Sequence, residues 1–143
     1  MKATLKPGLT HRFSYKVPEN KTVPYTYPES PEIAAMPKVF ATCFMIVLME
    51  WTCTQLLAPY LDPGEGSVGV HVDVSHLAAT LPGQTVTVDV ECTAVTGQRV
   101  TFHVKAHDGV DLIGEGRHGR FVVMWDKFNA RLAAKAAKLV KVA

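Results

Sequence analysis

The sequence contains few cysteines: three in 143 residues, none of them in a CxxC pair. An odd number of unpaired cysteines argues against a disulfide framework and against a zinc site. The chain also lacks a GxGxxG or Walker-type phosphate loop and a GxSxG elbow. Dinucleotide-binding, P-loop and serine-hydrolase classes therefore find no support, and we expect neither a metal nor a cofactor.

Strong charge of one sign is also missing. The net charge is +2, charged residues make up 20% and apolar residues 48%, which argues against a nucleic-acid-binding protein and against disorder. The five basic residues without an acid in residues 127–143 predict a basic C-terminal helix. No apolar stretch of signal-peptide length follows the N-terminus, so we expect one cytoplasmic domain over residues 1–143.

The longest apolar run spans residues 39–58 and contains a single charge, Glu50. Apolar side chains on every side of a helix predict one that is buried all round, over about residues 40–58. Its length approaches that of a membrane span, but a carboxylate in mid-run and the lack of flanking basic residues argue against that interpretation.

The segments before and after this run have different patterns. Residues 1–38 are rich in proline and predict one strand near 11–17, followed by a short helical segment that either covers a pocket or is a surface connection. After the run, four segments of alternating apolar and polar residues are separated by turns, which predicts an antiparallel meander packed on one face. One buried helix with such a sheet is an α+β arrangement in which the sheet wraps the helix.

Several long segments resemble the fluoroacetyl-CoA thioesterase family of hotdog acyl-CoA thioesterases: YPESPE, VFATCFMIVLMEW, APYLDPGEGSVG, VSHLAATLPGQTVTV, AHDGVDLIGEG and KFNA. Together they cover about residues 10–131. The resemblance implies a hotdog fold, with an antiparallel sheet around one long buried helix, and hydrolysis of a short acyl-CoA thioester. It also implies a homodimer or dimer-based oligomer with active sites at the subunit interface.

Three positions attract attention on physical grounds alone. Glu50 lies in an apolar helix, where a carboxylate must be protonated or paired. His76 continues the face formed by the even-numbered valines 68–74, so an unbroken strand directs it toward the helix. Gly69 interrupts a β-branched strand and marks a bulge or a close approach, where its N–H could serve a thioester oxyanion.

The resemblance implies that Thr42, Glu50 and His76 form the catalytic trio. Eight residues along one helix separate Thr42 from Glu50 by about 12 Å. Thr42 must therefore lie at the start of the helix, with His76 bridging or a second subunit completing the site. Helical spacing alone favours Cys43 or Thr54 as the neighbour of Glu50.

Two further features concern the substrate. Arg120, in a cluster with Arg117 and His118, is either a ligand for a CoA phosphate or part of a solvated strand end. The family's fluoroacetyl-specific member carries phenylalanines in its lid, where this sequence has Ile33 and Met36. These aliphatic side chains predict a more accommodating pocket.

Two other functions remain open at this point. A non-catalytic acyl-CoA-binding or regulatory module would keep the pocket and bind without turnover. A hotdog enoyl-CoA hydratase or dehydratase would share the fold, although its Asp-x4-His signature is absent.

Overall fold

A five-stranded antiparallel sheet packs around a central helix in the computed structural model, which describes residues 1–142. The strands lie side by side in the order β1-β3-β4-β5-β2. Their bounds are β1 (Thr10–Lys16), β2 (Glu65–His76), β3 (Thr85–Thr96), β4 (Arg99–His107) and β5 (Leu112–Met124). The helices are α1 (Pro31–Ala34), α2 (Thr42–Leu57) and α3 (Trp125–Val142). The predicted arrangement of a sheet around one helix is confirmed.

Helix α2 begins at Thr42 because the preceding Ala41 is extended, with φ −72° and ψ 140°. One face packs on the sheet through Met45, Leu48, Met49, Cys53, Leu56 and Leu57. The segment Thr42–Tyr60 is long and apolar enough to cross a membrane, and this packing accounts for its composition. The prediction of a helix buried all round is wrong for the single chain, because Val47 and Trp51 are 54% and 46% exposed.

Strand β2 contains a bulge that changes which residues face the helix. Gly69 pairs with Arg120, but the next pair is His71 with Gly119, so Val70 is an extra residue. The prediction that Val68 shares the inner face is wrong, because it pairs with the outward Phe121.

Beyond the bulge the even-numbered residues of β2 face inward. Val72 pairs with the buried His118, and His76 pairs with Gly114, over which Met45 of α2 lies. The predicted inward orientation of His76 is therefore found, but the bulge and not an unbroken strand determines which residues share its face.

The sequence pattern predicts that the four later strands form a simple meander, and this prediction is wrong. Strands β3, β4 and β5 are consecutive neighbours, whereas β2 pairs with β5, because β1 occupies the free side of β3. The connection from β2 to β3 crosses the end of the sheet. Thr80 anchors it there: its hydroxyl donates to Asp108 at 2.9 Å, and its carbonyl accepts from the N–H of Phe40 at 2.8 Å.

The predicted basic C-terminal helix is present as α3, starting at Trp125 instead of residue 127. The side chain of Trp125 packs over Gly66. The basic residues of the helix are exposed: Lys127, Arg131, Lys135 and Lys138. The last residue of the predicted helix, 143, lies outside the described residues.

We expect Gly116→Ala to destabilise the fold, because a Cβ there would lie 2.0 Å from the backbone oxygen of Asp73 in β2. The two strands would have to separate, at a cost of about 3 kcal/mol in the free energy of unfolding. Urea denaturation at fixed protein concentration measures this. Gly114→Ala is the matched control, because its added Cβ meets flexible methionine side chains. Equal losses in the two variants would contradict the prediction.

Candidate active site

Thr42 and His76 meet where α2 begins and β2 ends. The Thr42 hydroxyl oxygen lies 2.6 Å from Nδ1 of His76, a short hydrogen bond. Thr42 is exposed, and the helix start leaves backbone N–H groups of the first turn without helical partners. The pair therefore places a hydroxyl and an imidazole beside the positive end of a helix, which favours a developing negative charge.

The environment of His76 favours a neutral ring. Burial lowers the pKa of His76 below its ordinary value, with a smaller opposing contribution from the backbone at Ala78. Its Nε2 atom is buried without a hydrogen-bond partner among the described residues. An imidazolium would need an acceptor at both nitrogens, so the ring is neutral and the lone pair of Nδ1 is available to accept the hydrogen bond of the Thr42 hydroxyl.

An open groove of ≈ 430 Å³ lies against this pair. It is lined by Val23, Val39, Phe40, Thr42, His76, Leu77, Ala78 and Ala79. An apolar groove that ends at a hydroxyl and an imidazole can receive a short acyl group with its carbonyl carbon near Thr42.

Glu50 lies on the same helix but in a different cluster. Its Oε1 is 3.4 Å from Nη1 of Arg120 and 3.5 Å from Nε2 of His118, and its side chain is 28% exposed. Thus Glu50 is neither solvated on all sides nor fully buried. The carboxylate faces the guanidinium of Arg120, and its other side remains accessible to solvent.

Gly69 lets this carboxylate approach the sheet. A Cβ at position 69 would lie 2.4 Å from Oε1 of Glu50. The bulge and the close approach expected at Gly69 are both found, and the oxyanion role of its N–H stays a prediction.

Arg120 is 7% exposed and fully engaged by its own chain. Its Nε donates to the hydroxyl of Ser67 at 2.8 Å and its Nη2 donates to the Ser67 carbonyl at 2.9 Å. The expectation of a solvated strand end is wrong, and a guanidinium held in this way does not present itself to a CoA phosphate. The cluster with Arg117 also does not exist, because Arg117 pairs with Asp73 on the outer face.

Within one chain the two clusters do not meet. Gly69 lies next to Glu50, and His76 lies seven positions further along β2, which is about 23 Å of extended strand. Neither rival partner forms a hydrogen bond with Glu50 among the described residues: the carboxylate accepts from Arg120, and the Thr54 hydroxyl donates to the Trp51 carbonyl at 2.6 Å. The predicted convergence of Thr42, Glu50 and His76 thus cannot arise inside a single subunit.

Comparison with known proteins identifies the family. The model for the fluoroacetyl-CoA-specific thioesterase family matches residues 18–126. The chain is 52% identical over 135 residues to the fluoroacetyl-CoA thioesterase of Streptantibioticus cattleyicolor, covering 94% of this chain and 97% of that enzyme. The chain belongs to this family.

Solved structures agree with that assignment. A fluoroacetyl-CoA thioesterase structure superimposes on this family member with a TM-score of 0.90 at 52% identity, covering 92% of this chain and 97% of that one. A thioesterase superfamily member from Thermus thermophilus gives a TM-score of 0.85 at 28% identity, covering 99% of both chains. The predicted hotdog fold and the predicted thioester hydrolase are confirmed.

The predicted lid of this thioesterase family member is a short, exposed segment. Ser30 caps α1 by accepting from the N–H of Ile33 at 3.3 Å. Ile33 is half-buried and Met36 is 46% exposed, and neither is among the residues that line the groove beside Thr42.

Sequence reasoning does not identify two contacts of Arg120, those with Ser67 and His118. It groups His118 with its sequence neighbours and not with the residues on its face of β5. The period of two would have placed it with Arg120 and Val122, facing inward. Ser67 gave no signal, since only the bulge turns it toward Arg120.

Substituting Gly69 with alanine should impair this thioesterase without unfolding it. The new methyl group would displace the Glu50 carboxylate, which ends a flexible side chain and can move away. We expect kcat/KM for acyl-CoA hydrolysis to fall by about tenfold or more, with a change in unfolding free energy below about 1 kcal/mol. Activity equal to that of the parent enzyme would show that the carboxylate position is irrelevant.

Proposed function

We propose that this enzyme hydrolyses a short-chain acyl-CoA thioester to the free acid and CoA, using Thr42, His76 and Glu50. The observation that carries the proposal is the 2.6 Å contact between the Thr42 hydroxyl and Nδ1 of a neutral His76 at the start of α2. A hydroxyl, a base and a helix N-terminus are the parts that acyl transfer requires.

The chemistry follows from the thioester. The attacking oxygen, that of Thr42 itself or of a water molecule it holds, adds to the carbonyl carbon while its proton passes to Nδ1 of His76. Free N–H groups at the start of α2 stabilise the oxyanion. The carbon–sulfur bond then breaks, and CoA leaves as a thiolate, which needs little acid catalysis because thiols ionise near a pKa of about 8.5. If water attacks, the free acid is formed directly. If Thr42 attacks, water adds to the resulting Thr42 ester, the ester C–O bond breaks, and the free acid leaves while the Thr42 oxygen regains its hydrogen.

A second copy of the chain supplies what one subunit lacks. Strand β2 is a sheet edge, and its inward-facing Val72 is 45% exposed, as expected if another subunit covers it. Antiparallel pairing of two β2 edges about a two-fold axis would bring the Gly69 end of each strand toward the partner's His76 end. The proposed site therefore combines Thr42 and His76 of one subunit with Glu50 of the other.

Glu50 is expected either to orient His76 or to handle the hydrolytic water, and its contacts favour the second role. It cannot orient His76 of its own chain; its hydrogen-bonding partner is Arg120, and Nε2 of His118 lies 3.5 Å away. A carboxylate with one accessible side is suited to position or deprotonate the hydrolytic water from the opposite side of the substrate. We assign it that role at the subunit interface.

The acyl group is short, and the lid tolerates variation in it. Ile33 and Met36 are aliphatic, and Met36 in particular is flexible and exposed. We propose a pocket that accepts fluoroacetyl-CoA together with other short acyl groups. A cytoplasmic location is proposed as well, in keeping with three free cysteines.

A thiol-release assay over a panel of acyl-CoA thioesters tests the function. We expect saturable release for two- to four-carbon acyl groups, and a loss of about 100-fold or more in kcat for Thr42→Ala, His76→Ala and Glu50→Ala. Thr54→Ala is the control, because its hydroxyl only bonds the helix backbone. Tight binding without release would indicate a binding module, and enoyl-CoA hydration without free CoA would indicate a hydratase.

Mixing two inactive variants tests whether the site is shared. Co-refolded His76→Ala and Glu50→Ala subunits should form heterodimers with one intact site, restoring about a quarter of the parent activity at equal mixing. Thr42→Ala mixed with His76→Ala should restore none, because both residues come from the same half-site. No recovery in the first mixture, or a monomeric parent enzyme in analytical ultracentrifugation, would refute the shared site.

A further inference from the structure

His118 is a buried histidine that the proposed chemistry does not use. It lies on β5, its side chain is 2% exposed, and a Cβ at Gly69 would come within 3.4 Å of its ring. Its Nδ1 is 2.8 Å from the carbonyl oxygen of His71, at the bulge of β2, and its Nε2 is 3.2 Å from Nη1 of Arg120.

These two contacts define the protonation state of the ring. A carbonyl oxygen only accepts, so Nδ1 must carry the hydrogen that is donated to His71. A guanidinium only donates, so Nε2 must offer its lone pair to Arg120. Burial lowers the pKa of His118, which also favours the neutral ring over the imidazolium.

The lone pair on Nε2 of His118 completes the set of hydrogen bonds that the Arg120 guanidinium donates. Two of the three guanidinium nitrogens are held by Ser67, and the third, Nη1, lies between His118 at 3.2 Å and Glu50 at 3.4 Å. Without an acceptor at His118, nothing on that side fixes the direction of Nη1. The carboxylate of Glu50 is part-exposed, so its place depends on that nitrogen.

We propose that His118, through the lone pair on Nε2, is a positioning residue that orients Arg120 and thereby holds the Glu50 carboxylate at the bulge of β2. The inference rests on the proposed function of Glu50 and adds a residue that acts on Glu50 through Arg120. His118 itself touches neither the substrate nor the reacting atoms.

Two substitutions separate this role from a purely structural one. His118→Gln can place an amide oxygen where Nε2 was and keep the acceptor for Arg120, but it loses the bond to His71. His118→Asn can keep a donor for the His71 carbonyl but has no group that reaches Arg120. We expect kcat to fall by about tenfold or more in the asparagine variant with KM within about twofold, and the glutamine variant to retain most of kcat.

The reverse order, with asparagine active and glutamine impaired, would overturn the proposal and leave His118 with the backbone bond alone. Equal activity of both variants and the parent would also overturn it. If Glu50→Gln retained full activity, the proposed function of Glu50 would fail first, so the two failures are distinguishable. Unfolding transitions of each variant show whether a loss of kcat comes from misfolding.

A measurement on the unmodified enzyme tests the geometry without any variant. Nitrogen-15 chemical shifts of the His118 ring at neutral pH should report a protonated Nδ1 and an unprotonated Nε2. A ring protonated at Nε2, or at both nitrogens, would overturn the proposal even if both variants were poorly folded.

Discussion

One extra residue in β2 determines how the two halves of the site are arranged. Gly69 and His76 are seven positions apart, an odd number, so in a regular strand their side chains would lie on opposite faces of the sheet. The bulge at Val70 places both on the inner face, each against a different part of α2. Without the bulge, one of two contacts would be lost. His76 would no longer face Thr42, or the residue facing Glu50 would no longer be a glycine.

Helix α2 carries both halves and keeps them apart. Its first residue is Thr42, and Glu50 follows two turns later, so a straight helix fixes their separation. A rigid spacer of this kind suits the proposed site, in which a second subunit supplies the other half. Because Val47 and Trp51 of α2 are exposed, part of the apolar surface of the helix is not covered by its own chain. Val47 and Trp51 lie beside Tyr15 of β1, the opposite edge strand from β2.

Much of this architecture could be predicted from sequence patterns. Alternation predicts the strands and, except in β2 before the bulge, their inner face; the apolar run predicts α2 but not its exposed side chains; and the spacing of Thr42 and Glu50 places the hydroxyl at the helix start. The bulge could not be located, because a glycine in a strand is compatible with several local geometries. The order of the strands and the surroundings of Glu50 also escaped prediction, since they depend on contacts between residues that lie far apart in the chain.

The hydrogen bond from the N–H of Phe40 to the carbonyl of Thr80 has a consequence for how such an enzyme can diversify. It ties the segment before Thr42 to the connection after His76, so the backbone itself brings the hydroxyl and the imidazole together. Neither Ile33 nor Met36, in the predicted lid, takes part in that tie. Substitutions in that segment can therefore accumulate while the contact between the hydroxyl and the imidazole is kept.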